Sequence, residues 1–279
     1  MKWVYDLTGA EMIIKDLPIY DATTLVQGEL LMLGTGNFTG GADAGIAYVS
    51  CGSASATAVV VANGVGALLE TKTTADTPSI AAAHNTAGGS VCYGKVPVNP
   101  FAVYRAAVNA GSTASNGALP IASGSTAQIA VTGSFSTTAA GIGQWVVFTA
   151  TAGPNYGVIR RVALAGGSAG TANLDVGLIT APTTADKVVL VSQPGGKPNV
   201  LTTDGTGIGQ TVVNASQTTG LIVVDNWLDR GTGGVERLTS LVHANGTAAA
   251  GRVNGQAARV PITVYQDVMI KDHVFGVDL

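Results

Sequence analysis

Charged side chains are scarce in this chain. Asp, Glu, Lys and Arg together make up 11% of its 279 residues, against about 25% in ordinary soluble domains. None of the four occurs from Ala106 to Ile159, and none from Ala44 to Leu69. Surfaces of free proteins normally carry about 25–35% charged residues, so a lone molecule of this composition would be poorly solvated. Two kinds of surface resolve that: one covered by partner subunits, or one solvated by Thr and Ser hydroxyls. The expectation taken here is the covered surface. Basic residues are few as well. The net charge is −3, and Arg160–Arg161 is the one adjacent basic pair. A binder of DNA or RNA needs a basic patch to neutralise phosphates, so direct nucleic-acid binding is not expected.

Other absences narrow the field further. Aromatic residues are 5% of the chain, too few for the stacking platforms that hold sugars and bases. Trp145 and Trp227 are isolated candidates for such contacts, and core packing is the expectation for both. The two cysteines, Cys51 and Cys92, form no CxxC and have no ligand set around them. They read as buried free thiols, with a single disulfide as the alternative. His84, His243 and His273 show neither HxH nor HExxH spacing, so a metal site would need tertiary convergence. The opening MKWVYDLTGAEMIIKD lacks the apolar run of a signal peptide. No window of about 18 apolar residues suits a membrane span. Folding in a cytoplasm, with no membrane partner, is the expectation.

Short runs rich in Val, Ile, Thr and aromatics are plentiful, and Gly, Asn and Pro divide them. Gly accounts for 38 residues, roughly double the usual share of about 7%. Helical periodicity is weak throughout. The pattern predicts a mainly β chain, with antiparallel sandwich-like or barrel-like domains, long loops and little helix. Predicted strands are Trp3–Tyr5, Glu29–Leu33, Ile46–Cys51, Ala58–Ala62, Val91–Val96 and Phe101–Val108. Further along come Gln128–Thr132, Trp145–Thr149, Val158–Leu164, Lys187–Ser192, Leu221–Val224, Arg259–Tyr265 and Val268–Val274. Gly-containing pairs such as Asn63-Gly64, Gly166-Gly167 and Asn254-Gly255 mark predicted turns. Domain expectations follow from composition. Residues 1–110 form an N-terminal β domain and 111–124 a Ser/Ala/Gly linker. Residues 125–195 form a β module, possible as an insertion. Residues 196–279 form a C-terminal segment that could complete the first domain. No fixed short period supports a solenoid or propeller.

Four patterns resemble chemical motifs. Gly166-Gly167-Ser168-Ala169-Gly170 matches G-x-S-x-G, but a strand-like stretch follows it where a nucleophile elbow needs a helix. Gly205-Thr206-Gly207-Ile208-Gly209 resembles a phosphate loop without its G-K-[ST]. Asp225-Asn226-Trp227-Leu228-Asp229 sets two carboxylates four residues apart. Paired carboxylates can do acid–base work or hold a cation; the plainer reading is a loop with an anchoring Trp and solvated acids. Asn37-Phe38-Thr39, Asn214-Ala215-Ser216 and Asn245-Gly246-Thr247 are glycosylation sequons only in a secretory route. Turn or chance readings are preferred for all four. The chain is therefore expected to be no enzyme, with no catalytic, cofactor-binding or metal residue and no cofactor.

Two stretches resemble a known group. Lys2-Trp3-Val4-Tyr5-Asp6-Leu7-Thr8-Gly9, with Pro18-Ile19-Tyr20-Asp21 and Gly28-Glu29-Leu30-Leu31-Met32, is similar to small virion proteins of tailed bacteriophages, the decoration or cement proteins of the head. Gly143-Gln144-Trp145-Val146-Val147-Phe148-Thr149, Gly153-Pro154-Asn155-Tyr156-Gly157 and Val158-Ile159-Arg160-Arg161-Val162 resemble a β-module of phage structural proteins. Leu174-Asp175 and Thr180-Ala181-Pro182-Thr183 belong to the same likeness. The resemblance spans about half the chain and carries strand and turn patterns without catalytic residues. It implies a mature location on the capsid exterior, the major capsid protein as partner, and self-association, often as trimers. The function expected from it is a decoration protein that bridges capsid subunits and stabilises the shell. Alternatives are a tail or adaptor structural protein, or a surface adhesive or carbohydrate-binding β-protein. Extended ends at Met1–Asp6 and Val274–Leu279 are expected to be able to add strands to a neighbour's sheet.

Overall fold

A computed structural model describes residues 1–20, 25–33, 48–50, 62–72, 91–108, 118–131, 144–163, 171–198, 201–202, 212–213, 220–229, 234–238 and 262–275. These residues are almost entirely strand and turn. In chain order the strands are β1 (Lys2–Asp6), β2 (Ile14–Tyr20), β3 (Leu30–Leu33), β4 (Tyr48–Ser50), β5 (Ala62–Ala67), β6 (Val91–Pro97) and β7 (Ala102–Val108). Next come β8 (Leu119–Gly124), β9 (Gln128–Val131), β10 (Trp145–Phe148), β11 (Ile159–Arg161), β12 (Thr171–Asn173) and β13 (Lys187–Val191). The last are β14 (Leu201–Thr202), β15 (Val212–Val213), β16 (Leu221–Asp229), β17 (Val235–Arg237), β18 (Thr263–Ile270) and β19 (Asp272–His273). The mainly β, largely antiparallel architecture read from the sequence is the one found. Among the described residues no helix is long and apolar enough to cross a membrane.

The chain divides into two compact units. The first takes Met1–Ala106, Leu201–Val224 and Asp267–Leu279; the second takes Ala107–Val200 and Asp225–Gln266. Three of the four boundaries fall within β7, β16 and β18, and the fourth just before β14. Strand β8 occupies Leu119–Gly124, the end of the stretch read as a linker, because Leu119 and Ile121 alternate inward there.

In the first unit, six strands run in the order β19-β5-β3-β4-β2-β6. The longest pairing, β2 with β6, is antiparallel from Ile14↔Pro97 to Tyr20↔Val91. The sheet curls until the chain just past β5 meets β6: the Leu69 N–H donates to the Lys95 carbonyl at 2.9 Å. Curling brings backbones close, and Gly66 stands at the contact. A Cβ there would lie 2.2 Å from the Pro97 carbonyl oxygen, a separation no side chain can occupy. Ile19, Leu25, Leu31, Val65, Leu68 and Val96 fill the inside of the curl.

The second unit contains six strands in the order β11-β10-β13-β8-β9-β12. The two end strands meet again beyond β11, where Val162 bridges Leu174. There Ala163 N–H donates to Asn173 and Asp175 N–H to Arg161. The ring of strands encloses Val146, Phe148, Val158, Val188, Leu190 and their neighbours. The alternate residues Trp145, Val147, Val189 and Val191 face outward, yet they too are buried, against Leu228, Leu238, Ile262 and Val264. Two buried faces explain why β10 and β13 read as continuous apolar runs rather than alternating ones.

A seven-stranded sheet has the order β15-β14-β7-β18-β16-β17, with β1 on β7. Several sequence expectations change here. Asn63-Gly64 lies inside β5 instead of forming a turn. The two strands expected at Arg259–Tyr265 and Val268–Val274 are one strand, β18, from Thr263, then the short β19. Asp225–Asp229 belongs to β16 and is not a loop. Its polar residues are accommodated because partners in the second unit satisfy them, as described below.

Candidate interaction surface

The segment linking β1 to β2 is held firmly by polar groups. Asp6, buried at the end of β1, accepts hydrogen bonds on Oδ1 from the Thr8 N–H (2.8 Å) and the Thr8 hydroxyl (2.5 Å). This is an Asx turn, in which a short carboxylate substitutes for a backbone acceptor. Gly9, at φ +77°, completes it by donating to the Asp6 carbonyl. Burial works to raise the Asp6 pKa. The bonds from Thr8, Asn99 and Ala10 outweigh it and hold the carboxyl below its ordinary value. Asn99 clamps the other end: its Oδ1 accepts from the Ile13 N–H (2.7 Å) and its Nδ2 donates to the Glu11 carbonyl (2.8 Å). Backbone bonds from Leu7 N–H to Phe101 and from Val98 N–H to Ile13 tie the segment down at both sides.

On this fixed backbone apolar side chains are exposed to solvent alongside Thr8 and Glu11. Val4, Tyr5, Leu7, Met12, Ile13 and Ile14 are all exposed, Leu7 by 49%, Ile13 by 53% and Ile14 by 48%. Scattered exposed apolar residues are ordinary, whereas contiguous apolar patches accompany interaction sites, so six exposed apolar residues within Val4–Ile14 make this stretch a candidate. Full burial of a Leu or Ile side chain is worth about 1.5–3 kcal/mol. These three are about half exposed, so covering them yields about half that each. Lys2, Glu11, Lys15 and Asp16 are exposed in the same stretch, two of each sign. Among the described residues strand β1 pairs with β7, through Lys2↔Arg105, Trp3↔Tyr104, Tyr5↔Val103 and Asp6↔Ala102. Lys2–Asp6 is thus a strand of its own sheet, anchored by the edge-to-face packing of Trp3 on Tyr104 at 6.0 Å.

Comparison with protein-family models, curated protein sequences and solved structures finds no match. The surface is therefore interpreted from its own chemistry.

The residues singled out in the sequence are dispersed. Asp225 and Asp229 sit four apart on β16, about 13 Å along a strand, with Trp227 between them, too far to act as a carboxylate pair. Asp225 is buried and receives Arg237 Nε at 2.5 Å. Trp145 lies in the outer core cluster of the second unit. Arg160 and Arg161 face opposite ways: Arg160 is buried and donates to the Gly177 and Ile159 carbonyls, whereas Arg161 is exposed. Burial lowers the Arg160 pKa and Asp175 opposes that shift. Cys92 lies in β6 opposite Ile19. Cys51, His84, His243, Ser168, the Gly205–Gly209 loop and the three sequons lie outside the described residues. Among the described residues no group of three or more His, Cys, Asp or Glu could hold a metal ion.

Two buried polar clusters were not read from the sequence. In the second unit Asn226 Nδ2 donates to the Ser192 carbonyl (2.8 Å). Gln266 Nε2 donates to Asn226 Oδ1 (2.9 Å) and to the same carbonyl (3.2 Å). Both amides lie on the faces of β16 and β18 that carry Leu228 and Val264, and they close that core where β13 ends. The signal was Asp225-Asn226 interrupting an apolar run. In the first unit Arg105 meets Asp267 in a two-pronged ion pair, at 2.7 and 2.9 Å, with Asp267 fully buried. Its partners are 162 residues apart, so no local signal exists.

Proposed function

We propose that the chain is a structural component of a larger protein assembly, and that it serves as a head decoration protein of a tailed bacteriophage, bridging capsid subunits on the outer shell. The observation that carries the assembly reading is the apolar surface from Val4 to Ile14 on a hydrogen-bonded frame. A neighbour that covers it gains apolar burial without having to order a floppy segment first. Scarcity of charge supports the same reading, because fewer ions lose water when interfaces close. The decoration role rests on the resemblance of the N-terminal stretch and of residues 143–183 to virion proteins. In that role the chain contacts the major capsid protein and further copies of itself, and performs no catalysis.

The experiment is quantitative mass spectrometry and imaging of particles purified from the organism that carries the gene. Hundreds of copies on each head are expected. A few copies at the tail would replace decoration by an adaptor role, and absence of the polypeptide from particles would end the proposal.

A further inference from the structure

We infer that His273 is an acid-sensitive latch: in its neutral form it fastens the C-terminal strand β19 to β5, and protonation unfastens it. Strand β19 has two residues, stands at the end of its sheet, and pairs in parallel with β5 through Asp272↔Ala62 and His273↔Gly64. Such a short ladder holds poorly by itself. The Val274 N–H adds one backbone bond to the Gly64 carbonyl (2.9 Å). The buried His273 ring adds one side-chain bond to β5, its Nε2 lying 2.7 Å from the Val65 carbonyl oxygen; within its own segment the ring accepts the Phe275 N–H on Nδ1 at 3.1 Å, which fixes the turn that follows β19. A carbonyl only accepts and an amide N–H only donates. The partners therefore assign the tautomer, with hydrogen on Nε2 and a lone pair on Nδ1. Protonation leaves the Nε2–H on Val65 but puts a hydrogen on Nδ1 that faces the Phe275 N–H, so the charged ring fits its buried place only if the ring or the Phe275 turn moves away.

Burial lowers the His273 pKa, and the bond to Val65 only partly opposes it. Strand β5, which supplies the Val65 partner, has the sequence ANGVGA and no ionisable side chain, and among the described residues no charged group shifts the ring. On its own stretch the ionisable neighbours are Lys271 and Asp272, and the aromatic neighbour is Phe275, at 5.9 Å between ring centroids. Because the latched histidine is neutral and the released one titrates near about 6.5, release takes up a proton. Opening of the latch therefore becomes easier as pH falls below about 6.5, by up to tenfold per pH unit, until the latched pKa is passed. Opening uncovers the β5 edge, a row of backbone groups able to accept another strand.

Hydrogen exchange on the full chain, read at the Val274 and Phe275 amides between pH 7.5 and 5 and corrected for intrinsic exchange rates, tests the latch. Protection is expected to fall by up to tenfold per pH unit below about 6.5 in the native protein and to stay level in His273→Gln, which does not titrate. Level protection in the native protein, or a parallel fall in both, overturns the inference. Should the variant not fold, the native protein still decides. The ring signal of His273 and the amide signal of Phe275 must shift in NMR with one shared midpoint below 6.5, and separate midpoints overturn the inference.

Discussion

At Asp267 a carboxylate without water stands against the fork of Arg105, and its charge is tolerated only because both oxygens are met. Removing one partner of such a pair is far worse than replacing both, since the remaining ion stays buried without its opposite charge. Arg105→Met is thus expected to lower stability by about 3–5 kcal/mol, read as a shift in the urea unfolding midpoint. The double change Arg105→Met with Asp267→Leu should recover much of the loss. Asp6 offers a pH test. Its folded pKa lies below the ordinary 3.8, so its contribution is complete above about pH 4 and disappears as pH falls through the folded value. Asp6→Asn should remove that acid-side loss from a stability-versus-pH curve while the remaining carboxylates keep theirs. A native-like acid limb in the variant would show that the Thr8 and Asn99 bonds contribute nothing.

Among the elements, those with two buried faces were the most legible. Strands β10 and β13 stand where Trp145–Thr149 and Lys187–Ser192 were expected, because WVVF and VVLV leave no polar alternative. The illegible ones have physical reasons. Strands β14 and β15 contain two residues each, too few for any periodicity. Strand β2 carries Lys15, Asp16 and Pro18 and reads as irregular, yet its seven-residue ladder with β6 holds it extended. The tail of β16 reads as a loop because a sequence does not reveal that Arg237, Ser192 and Gln266 wait for Asp225 and Asn226. Two substitutions probe these elements. Phe148→Ala empties the ring of strands in the second unit and should cost about 3–5 kcal/mol in chemical denaturation. Gly66→Ala drives a methyl into the Pro97 carbonyl, where backbone must yield. A loss of about 1–3 kcal/mol is expected, and an unchanged unfolding midpoint would show that the curl does not need this glycine.

For the whole molecule, scarcity of charge leads to the expectation of a covered surface but does not say where it would lie. Composition is silent on which apolar residues point outward; the placement of Leu7, Ile13 and Ile14 emerges only once Asp6 and Asn99 have fixed the backbone. Leu7 and Ile13 are already about half buried, so replacing each with Asp is expected to cost about 1 kcal/mol of folding stability, which a melting curve reads separately from assembly. Leu7→Asp with Ile13→Asp should keep a cooperative melt at a lower temperature and abolish association. The most direct measurement is the molar mass of the purified chain in solution, by light scattering from micromolar to about a hundred micromolar. The prediction is a multiple of 27.8 kDa for the native protein and a single-chain mass for the doubly substituted one. A native protein that remains one 27.8 kDa chain throughout, with Leu7 and Ile13 open to water, would contradict it.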